Sequence, residues 1–436
     1  MRKVLIITYY WPPAGGPGSQ RAVKFAKYLP QFGWQPVILT VRNGEFSYTD
    51  HSLEKDIPSE LKIYQTRGWE PFLFYKKLTG RQSGETLPVG LLTGKKKSLV
   101  ERVASWIRAN LFVPDARIGW IPFATKKALQ IIRDENIDLI FSSSPPHSLQ
   151  IIANRLKKKT GLPWVADFRD RWTDIRYYQV LKRTGFTKRI DSILEKRVLT
   201  SADCVTATSE GFSANFKEKI KAKTQTFHFL PNGYDEEDFG GIPEQEVPEF
   251  RILHTGNLIA QQNPLVLWNS ISRLFESDTG IRESLRVLLI GKAHDSIVKS
   301  VHEKGLSDAV KIQNYVPHKD ILVELKKASI LLAVTPDLPD NRSIVLGKIY
   351  EYIGSGKPIL VIGPPQSDAA RIISGFENST TCGYTDEKQC IEFVRNTFNK
   401  WSESTRVPET PVEQRLPYSR QKISKSLANI FNSLLK

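Results

Sequence analysis

Residues 343–358, Ser-Ile-Val-Leu-Gly-Lys-Ile-Tyr-Glu-Tyr-Ile-Gly-Ser-Gly-Lys-Pro, bring together groups that could hold a diphosphate and a ribose. Backbone N–H groups of Ser343, Ile344 and Val345 follow the turn-rich Pro336-Asp337-Leu338-Pro339-Asp340 and would stand at a helix N-terminus, where the helix dipole favours an anion. Lys348 adds a point positive charge one turn in, suited to a phosphate. Glu351 lies on the same helical face and can accept hydrogen bonds from a pair of sugar or ribose hydroxyls. Gly354 and Gly356 then end the helix, and Pro358-Ile-Leu-Val-Ile362 reads as a short buried strand. An ordinary helix–turn–strand with surface charges is the competing reading.

A second loop, Pro12-Pro-Ala-Gly-Gly-Pro-Gly-Ser-Gln-Arg21, follows the first apolar run. Gly15 and Gly16 let the backbone approach a ligand, the next helix offers its N-terminal donors, and Arg21 supplies a forked cation. The spacing is neither G-x-G-x-x-G nor a P-loop, so neither a dinucleotide nor ATP is indicated, and a plain turn is the alternative. Asp167-Phe-Arg-Asp-Arg-Trp172 closes another apolar run, with Arg169 and Asp170 beside Asp167; a salt-bridge corner is the bland reading. Ser142-Ser-Ser-Pro-Pro-His-Ser148 closes the run before it, and His147 alone would be a loop histidine.

These loops need a scaffold, and the chain alternates strand and helix signals in the βαβ manner. Lys3–Thr8, Pro36–Val41, Asp138–Ser142, Trp164–Asp167 and Cys204–Ala207 predict one parallel sheet, with a helix over Ser19–Phe32. Arg251–Asn257, Arg286–Gly291, Val310–Tyr315, Ile330–Val334 and Ile359–Ile362 predict a second. The Pro/Glu-rich stretch 240–248 suggests a boundary between domains at 1–240 and 249–415. Ile423, Leu427, Ile430 and Leu434 recur at helical spacing, predicting a terminal helix within 416–436. Ligands of open α/β sheets bind beyond the carboxyl ends of the strands, where all these loops lie.

Composition is that of a folded globular protein of 436 residues, 40% hydrophobic, with nine tryptophans. Cys204, Cys382 and Cys390 form neither a disulfide framework nor a zinc pattern, which fits free thiols in a reducing cytoplasm. The apolar run after Met1 is too short for a signal segment, and no window is apolar for long enough to predict a membrane span. Net charge is +16, unevenly placed: residues 1–243 hold 38 Lys and Arg against 24 Asp and Glu, leaving 24 against 22. A basic first half suits an anionic partner, with scattered solvated charge as the alternative. In 95–112, Leu99, Val103, Trp106, Ile107 and Leu111 share a helical face, with Lys97, Arg102 and Arg108 around it. Such a helix suits an anionic bilayer surface, and it equally suits packing on the first domain.

The Lys348-Ile-Tyr-Glu351-Tyr-Ile segment resembles the donor-binding helix of retaining glycosyltransferases of family four, in the variant of bacterial cell-surface polysaccharide enzymes. The resemblance implies an α/β GT-B fold, two Rossmann-like domains whose parallel sheets face across a cleft, with the last helix returning to the first domain. It further implies transfer of a sugar, with retention, from a nucleotide sugar to a lipid-linked or saccharide acceptor, cytoplasmic or peripheral at the inner membrane face, with no nucleic-acid partner. Of the family's paired glutamates the second matches Glu351 and the first falls on Ser343. Gly15, Gly16 and Arg21 match the loop that faces the donor, and Asp167, Arg169, Asp170 and His147 fall where relatives contact sugar or acceptor. Gly256 and Asn257 fall where many relatives carry a cation for the departing diphosphate, so Lys348 and Arg21 are expected to supply that charge. No D-x-D cluster is present to hold Mg²⁺ with the phosphates, so neither metal nor other cofactor is expected. A nucleotide-sugar epimerase of the same fold and a non-catalytic anionic-surface-binding protein are the rival functions.

Overall fold

Runs such as Val-Leu-Ile-Ile at residues 4–7 and Ile-Leu-Leu-Ala-Val at 330–334 have no polar alternation, so each must be buried on both faces, as happens in a parallel sheet covered by helices. The computed structural model describes residues 1–46, 48–69, 103, 106–107, 109–174, 182–221, 225–243, 247–404 and 406–435. It divides the chain into two compact units, Met1–Pro231 with Ser424–Lys436, and Asn232–Ile423.

The first unit is built on β1 (Arg2–Ile7), β2 (Trp34–Val41), β3 (Lys62–Thr66), β4 (Leu139–Ser144), β5 (Trp164–Phe168), β6 (Cys204–Ala207) and β7 (Thr226–Phe229), in the order β3-β2-β1-β4-β5-β6-β7, all parallel. Register places Ile7 beside Leu39 and Ser142, and Asp167 beside Ser143 and Thr206. The predicted helix runs Pro17–Tyr28 and tightens to a 3₁₀ turn at Leu29–Phe32. Leu5, Ile7, Trp120, Ile140, Trp164 and Phe168 are among the buried core. The terminal helix Arg420–Ser433 contributes its last turns here: Phe431 meets the Trp34 and Phe141 rings edge-on, and Asn432 Oδ1 accepts from Trp34 Nε1 at 3.1 Å.

The second unit repeats the plan with β8 (Phe250–Thr255), β9 (Leu285–Ile290), β10 (Val310–Gln313), β11 (Ile330–Val334), β12 (Ile359–Ile362) and β13 (Thr380–Cys382), ordered β10-β9-β8-β11-β12-β13 and parallel throughout. Its core gathers Phe250, Trp268, Leu332, Leu360 and Trp401 among others. Residues 232–240, placed by composition with the first domain, belong to this unit: Tyr234 and Phe239 lie so close to Gly354 that an added Cβ would come within 2.7 and 2.5 Å of them. Gly354 is therefore interior to the helix Lys348–Ser355, and Gly356 alone ends it, at a left-handed φ of 80°.

Among the described residues no helix is long and apolar enough to cross a membrane. Most of the proposed amphipathic segment 95–112 lies outside the described residues. Of its apolar stripe, Val103, Trp106, Ile107 and Leu111 are exposed.

Candidate functional site

In the second unit the helix Lys348–Ser355 lays one face on the carboxyl end of β8. Lys348 and Tyr352, one turn apart, reach adjacent strand residues. Tyr352 Oη accepts from Thr255 N at 3.0 Å and lies 3.3 Å from Leu332 O, to which it donates. Lys348 Nζ is 3.0 Å from His254 Nε2. It also lies against Gly256, where an added Cβ would approach it to 3.1 Å and where φ is +92°. The positive φ favours glycine at position 256, and a Cβ there would also push the lysine tip aside by a few tenths of an ångström. Asn257 accepts from Lys292 N at 3.0 Å, which joins the turns after β8 and β9.

Burial lowers the pKa of Lys348 to about 8, with Glu351 opposing that effect. Glu351 meets His318 Nε2 at 3.1 Å, and both side chains are partly open to solvent. Ser343 is buried in a 3₁₀ turn, Asn341–Ser343. The Ile344 amide is taken up by Asn341 O at 3.1 Å, so of the three loop amides expected to face an anion this one is already satisfied. The amides of Val345, Leu346 and Gly347 find no acceptor among the described residues. The available donors thus begin at Val345, two residues later than the sequence indicates, and they lead directly into Lys348.

In the first unit the structure separates the expected site residues into two groups. Arg21 and Asp167 are fully buried and paired: Arg21 Nε and Nη2 meet the two carboxylate oxygens at 3.0 and 2.7 Å. The guanidinium also donates to Pro231 O at 2.7 Å and Leu230 O at 2.9 Å, while Asp167 accepts from Ser143 Oγ at 2.6 Å and Thr206 Oγ1 at 2.7 Å. Neither side chain reaches a ligand surface. This corrects the expectation that Arg21 faces a diphosphate and Asp167 a sugar. The physical reason is that a forked cation buried between a helix and the sheet finds its best partner in a bidentate carboxylate with hydroxyl support.

His147 is likewise buried and stacks on Trp172, ring centroids 4.7 Å apart and 4° from parallel. Burial and the Arg169 charge bring its pKa down to about 3, so the imidazole is neutral. Arg169 and Asp170 remain partly accessible at the end of β5. Arg169 donates to Ser143 Oγ at 3.1 Å and to Pro145 O, lies 5.9 Å from the Tyr10 ring centroid, and stands 3.0 Å from where a Cβ on Gly18 would be. Burial raises the Asp170 pKa, with Arg169 opposing it. Gly15 is roofed by the Tyr48 ring, into which a Cβ would intrude to 2.2 Å, and Gly16 turns the chain at φ 98° into a helix start with no side-chain cap.

Tyr10, Asp115 and Arg117 were not singled out by their sequence pattern, yet they share the electrostatic neighbourhood of Arg169 and Asp170. Asp115 accepts from Ser148 N at 2.8 Å and Arg117 N at 2.9 Å, and so caps the helix Ser148–Thr160. The only hint in sequence is that Asp115 and Arg117 sit two positions apart in a connector. His254 likewise carries no signal in sequence, since within Arg-Ile-Leu-His-Thr it looks like any strand residue. Among the described residues no group of three or more His, Cys, Asp or Glu is placed to hold a metal ion.

Compared with curated proteins by sequence, the chain finds no match. Solved structures share its fold. Sucrose-phosphate synthase from Thermosynechococcus elongatus superposes with a TM-score of 0.62 at 13% identity, covering 100% of this chain and 99% of that one. Anabaena HepE, solved with UDP and glucose, gives 0.59 at 13% identity, covering 99% and 100%. The lipopolysaccharide outer core galactosyltransferase WaaB gives 0.56 at 13% identity, covering 99% of each. The two parallel sheets are thus those of the GT-B glycosyltransferases. Residues 18–238 match the family model of Glycosyltransferase Family 4, half of the chain, and the chain belongs to that family.

Proposed function

We propose that this glycosyltransferase takes a sugar from a nucleotide diphosphate donor and passes it, with retention, to a hydroxyl of a lipid-linked or saccharide acceptor in cell-surface polysaccharide synthesis. The observation that carries the reading is the Lys348 ammonium held over Gly256 at the carboxyl end of β8, with Glu351 on the same helix. As the glycosidic bond breaks, positive charge develops on the sugar and negative charge on the departing diphosphate. Preorganised donors at that diphosphate lower the barrier. Lys348 and the amides of Val345 to Gly347 supply them, and Glu351 receives the ribose or sugar hydroxyls. Lys348 also brings a cation to the strand end where Asn257 carries none, which supports a metal-independent departure. In the first unit, Arg169 and Asp170 are partly accessible at the end of β5 and are assigned to acceptor contact. The Anabaena protein's complex with UDP and glucose and the lipopolysaccharide role of WaaB support the donor class and the pathway.

A panel of UDP-, GDP- and dTDP-sugars tests this reading, with binding followed by calorimetry and anomeric configuration of product by NMR. One nucleotide diphosphate class is expected to bind at micromolar to millimolar concentration and to yield a product of retained configuration. Absence of binding at millimolar concentration by every member, or inversion, sinks it. An epimerase would instead return an altered nucleotide sugar with no acceptor present.

The membrane part of the proposal rests on exposed Val103, Trp106, Ile107 and Leu111 in a basic first half. Flotation with anionic liposomes should carry the protein, and Trp106→Ser should weaken it. Neutral liposomes or 0.5 M salt should release it, because screening shortens the reach of surface charge. Binding indifferent to lipid charge and salt would count against this part alone.

A further inference from the structure

We infer that His254 is a positioning residue for the donor's diphosphate: from the floor of the second sheet it holds the Lys348 ammonium at the carboxyl end of β8. The inference rests on the donor reading above and adds a residue to it.

The geometry leaves one protonation pattern. His254 is fully buried, and its Nδ1 lies 2.8 Å from Leu332 O. A carbonyl oxygen can only accept, so Nδ1 carries the proton and donates. Nε2 of the neutral ring is then a lone pair, and it points at Lys348 Nζ 3.0 Å away. Burial and then the Lys348 charge depress the histidine's pKa and outweigh the opposing pull of the Leu332 and Gly256 carbonyls, so the ring stays neutral through the physiological range. The chain of donors runs one way, from ammonium to imidazole to the β11 carbonyl, and each member fixes the next.

The arrangement has three consequences for a ligand. A flexible lysine stem becomes fixed, so less rotamer freedom is lost when a phosphate arrives. One ammonium N–H is held by the ring, and two remain to be shared with anionic oxygens. The ring also favours the charged lysine, since it can accept from an ammonium and has nothing to give a neutral amine on that side. The ionisable groups facing Lys348 are His254 from β8 and Glu351 from its own helix; His318 faces Glu351.

The test compares wild type with His254→Asn, His254→Gln and His254→Leu. It uses UDP, GDP and dTDP and their monophosphates, with calorimetry between pH 6.5 and 9.5. Asparagine can still donate to Leu332 O but is too short to accept from Lys348, whereas glutamine can reach both. Asparagine and leucine should therefore lose about tenfold in diphosphate affinity and little in monophosphate affinity. Their decline in binding with rising pH should begin at lower pH than in wild type. Glutamine should recover most of both losses. In a Lys348→Met background His254→Asn should have no further effect, because the pair acts as one unit. If the leucine variant does not fold, the Asn–Gln comparison decides. Equal diphosphate affinity and an unmoved pH profile in His254→Asn would overturn the role of His254 while leaving the donor reading intact. Failure of wild type to bind any of the diphosphates would instead remove the donor reading.

Discussion

Lys348→Ala is expected to lower affinity for the cognate nucleoside diphosphate by about 10- to 100-fold while leaving nucleoside affinity unchanged. A charge-assisted hydrogen bond contributes about 1.5–3 kcal/mol, and each 1.4 kcal/mol is about tenfold. Deletion should cost the upper part of that range, because the substitution opens the space beside Gly256 without providing another cation. The same residue dictates a pH dependence. With its pKa lowered by burial to about 8, Lys348 is charged below that value and loses its charge above it. Diphosphate affinity should then be highest near pH 7 and fall on passing pH 8. The fall should approach tenfold by about pH 9, when one lysine in ten remains protonated in the unliganded protein. A terminal phosphate has already lost its second proton near pH 6, so the ligand's charge is constant across this range. Lys348→Arg separates charge from titration: whatever it does to affinity, the alkaline fall should vanish. An unchanged diphosphate-to-nucleoside affinity ratio in Lys348→Ala would remove this residue from the phosphate site.

The central strands were legible because burial on both faces forces an unbroken apolar run. β6, β11 and β12 match their expected limits, and β1, β2, β4, β5, β8, β9 and β10 differ only at their ends. β3, β7 and β13 were not anticipated. They are edge strands, half-exposed, and their sequences Lys-Ile-Tyr-Gln-Thr, Thr-Phe-His-Phe and Thr-Thr-Cys lack such a run. Lys348 and Glu351 could be read from one short segment because the chemistry there is local, a helix start with a cation and a carboxylate on one face. Arg21 shows the opposite case. A guanidinium at a glycine-rich loop looks the same in sequence whether it meets a phosphate or a carboxylate, and its carboxylate lies 146 residues away. His254 shows the same limit, since its meaning depends on a lysine 94 residues later. Long-range pairing of polar groups is set by packing, which neither periodicity nor spacing records.

That pairing makes Arg21 and Asp167 the place where substitution should affect stability most. Asp167→Ala should destabilise the first unit by about 3–5 kcal/mol, because it leaves a guanidinium buried without its counter-charge. Arg21→Met should do similar damage, stranding the carboxylate and the Leu230 and Pro231 carbonyls together. Either loss is a large fraction of the ~5–15 kcal/mol that typically separates folded from unfolded protein. The double variant Arg21→Met with Asp167→Leu should recover part of the loss, since no charge is then buried, but not all of it, since Ser143 and Thr206 lose their acceptor. Acid dependence follows from the same contacts. Burial pushes the Asp167 pKa up, yet Arg21 and the two hydroxyls outweigh it and hold the carboxyl below its usual value. A depressed carboxylate pKa contributes stability that is fully present above the unfolded value of about 3.9 and is lost as pH falls below it. Thermal unfolding followed by circular dichroism should therefore be insensitive to this pair from pH 8 down to about 5 and weaken steeply below 4. Asp167→Asn should flatten that acid limb. If Asp167 instead contacted the sugar, Asp167→Asn would reduce turnover at an unchanged melting temperature. The two roles thus predict opposite pairings of kinetic and thermal effect.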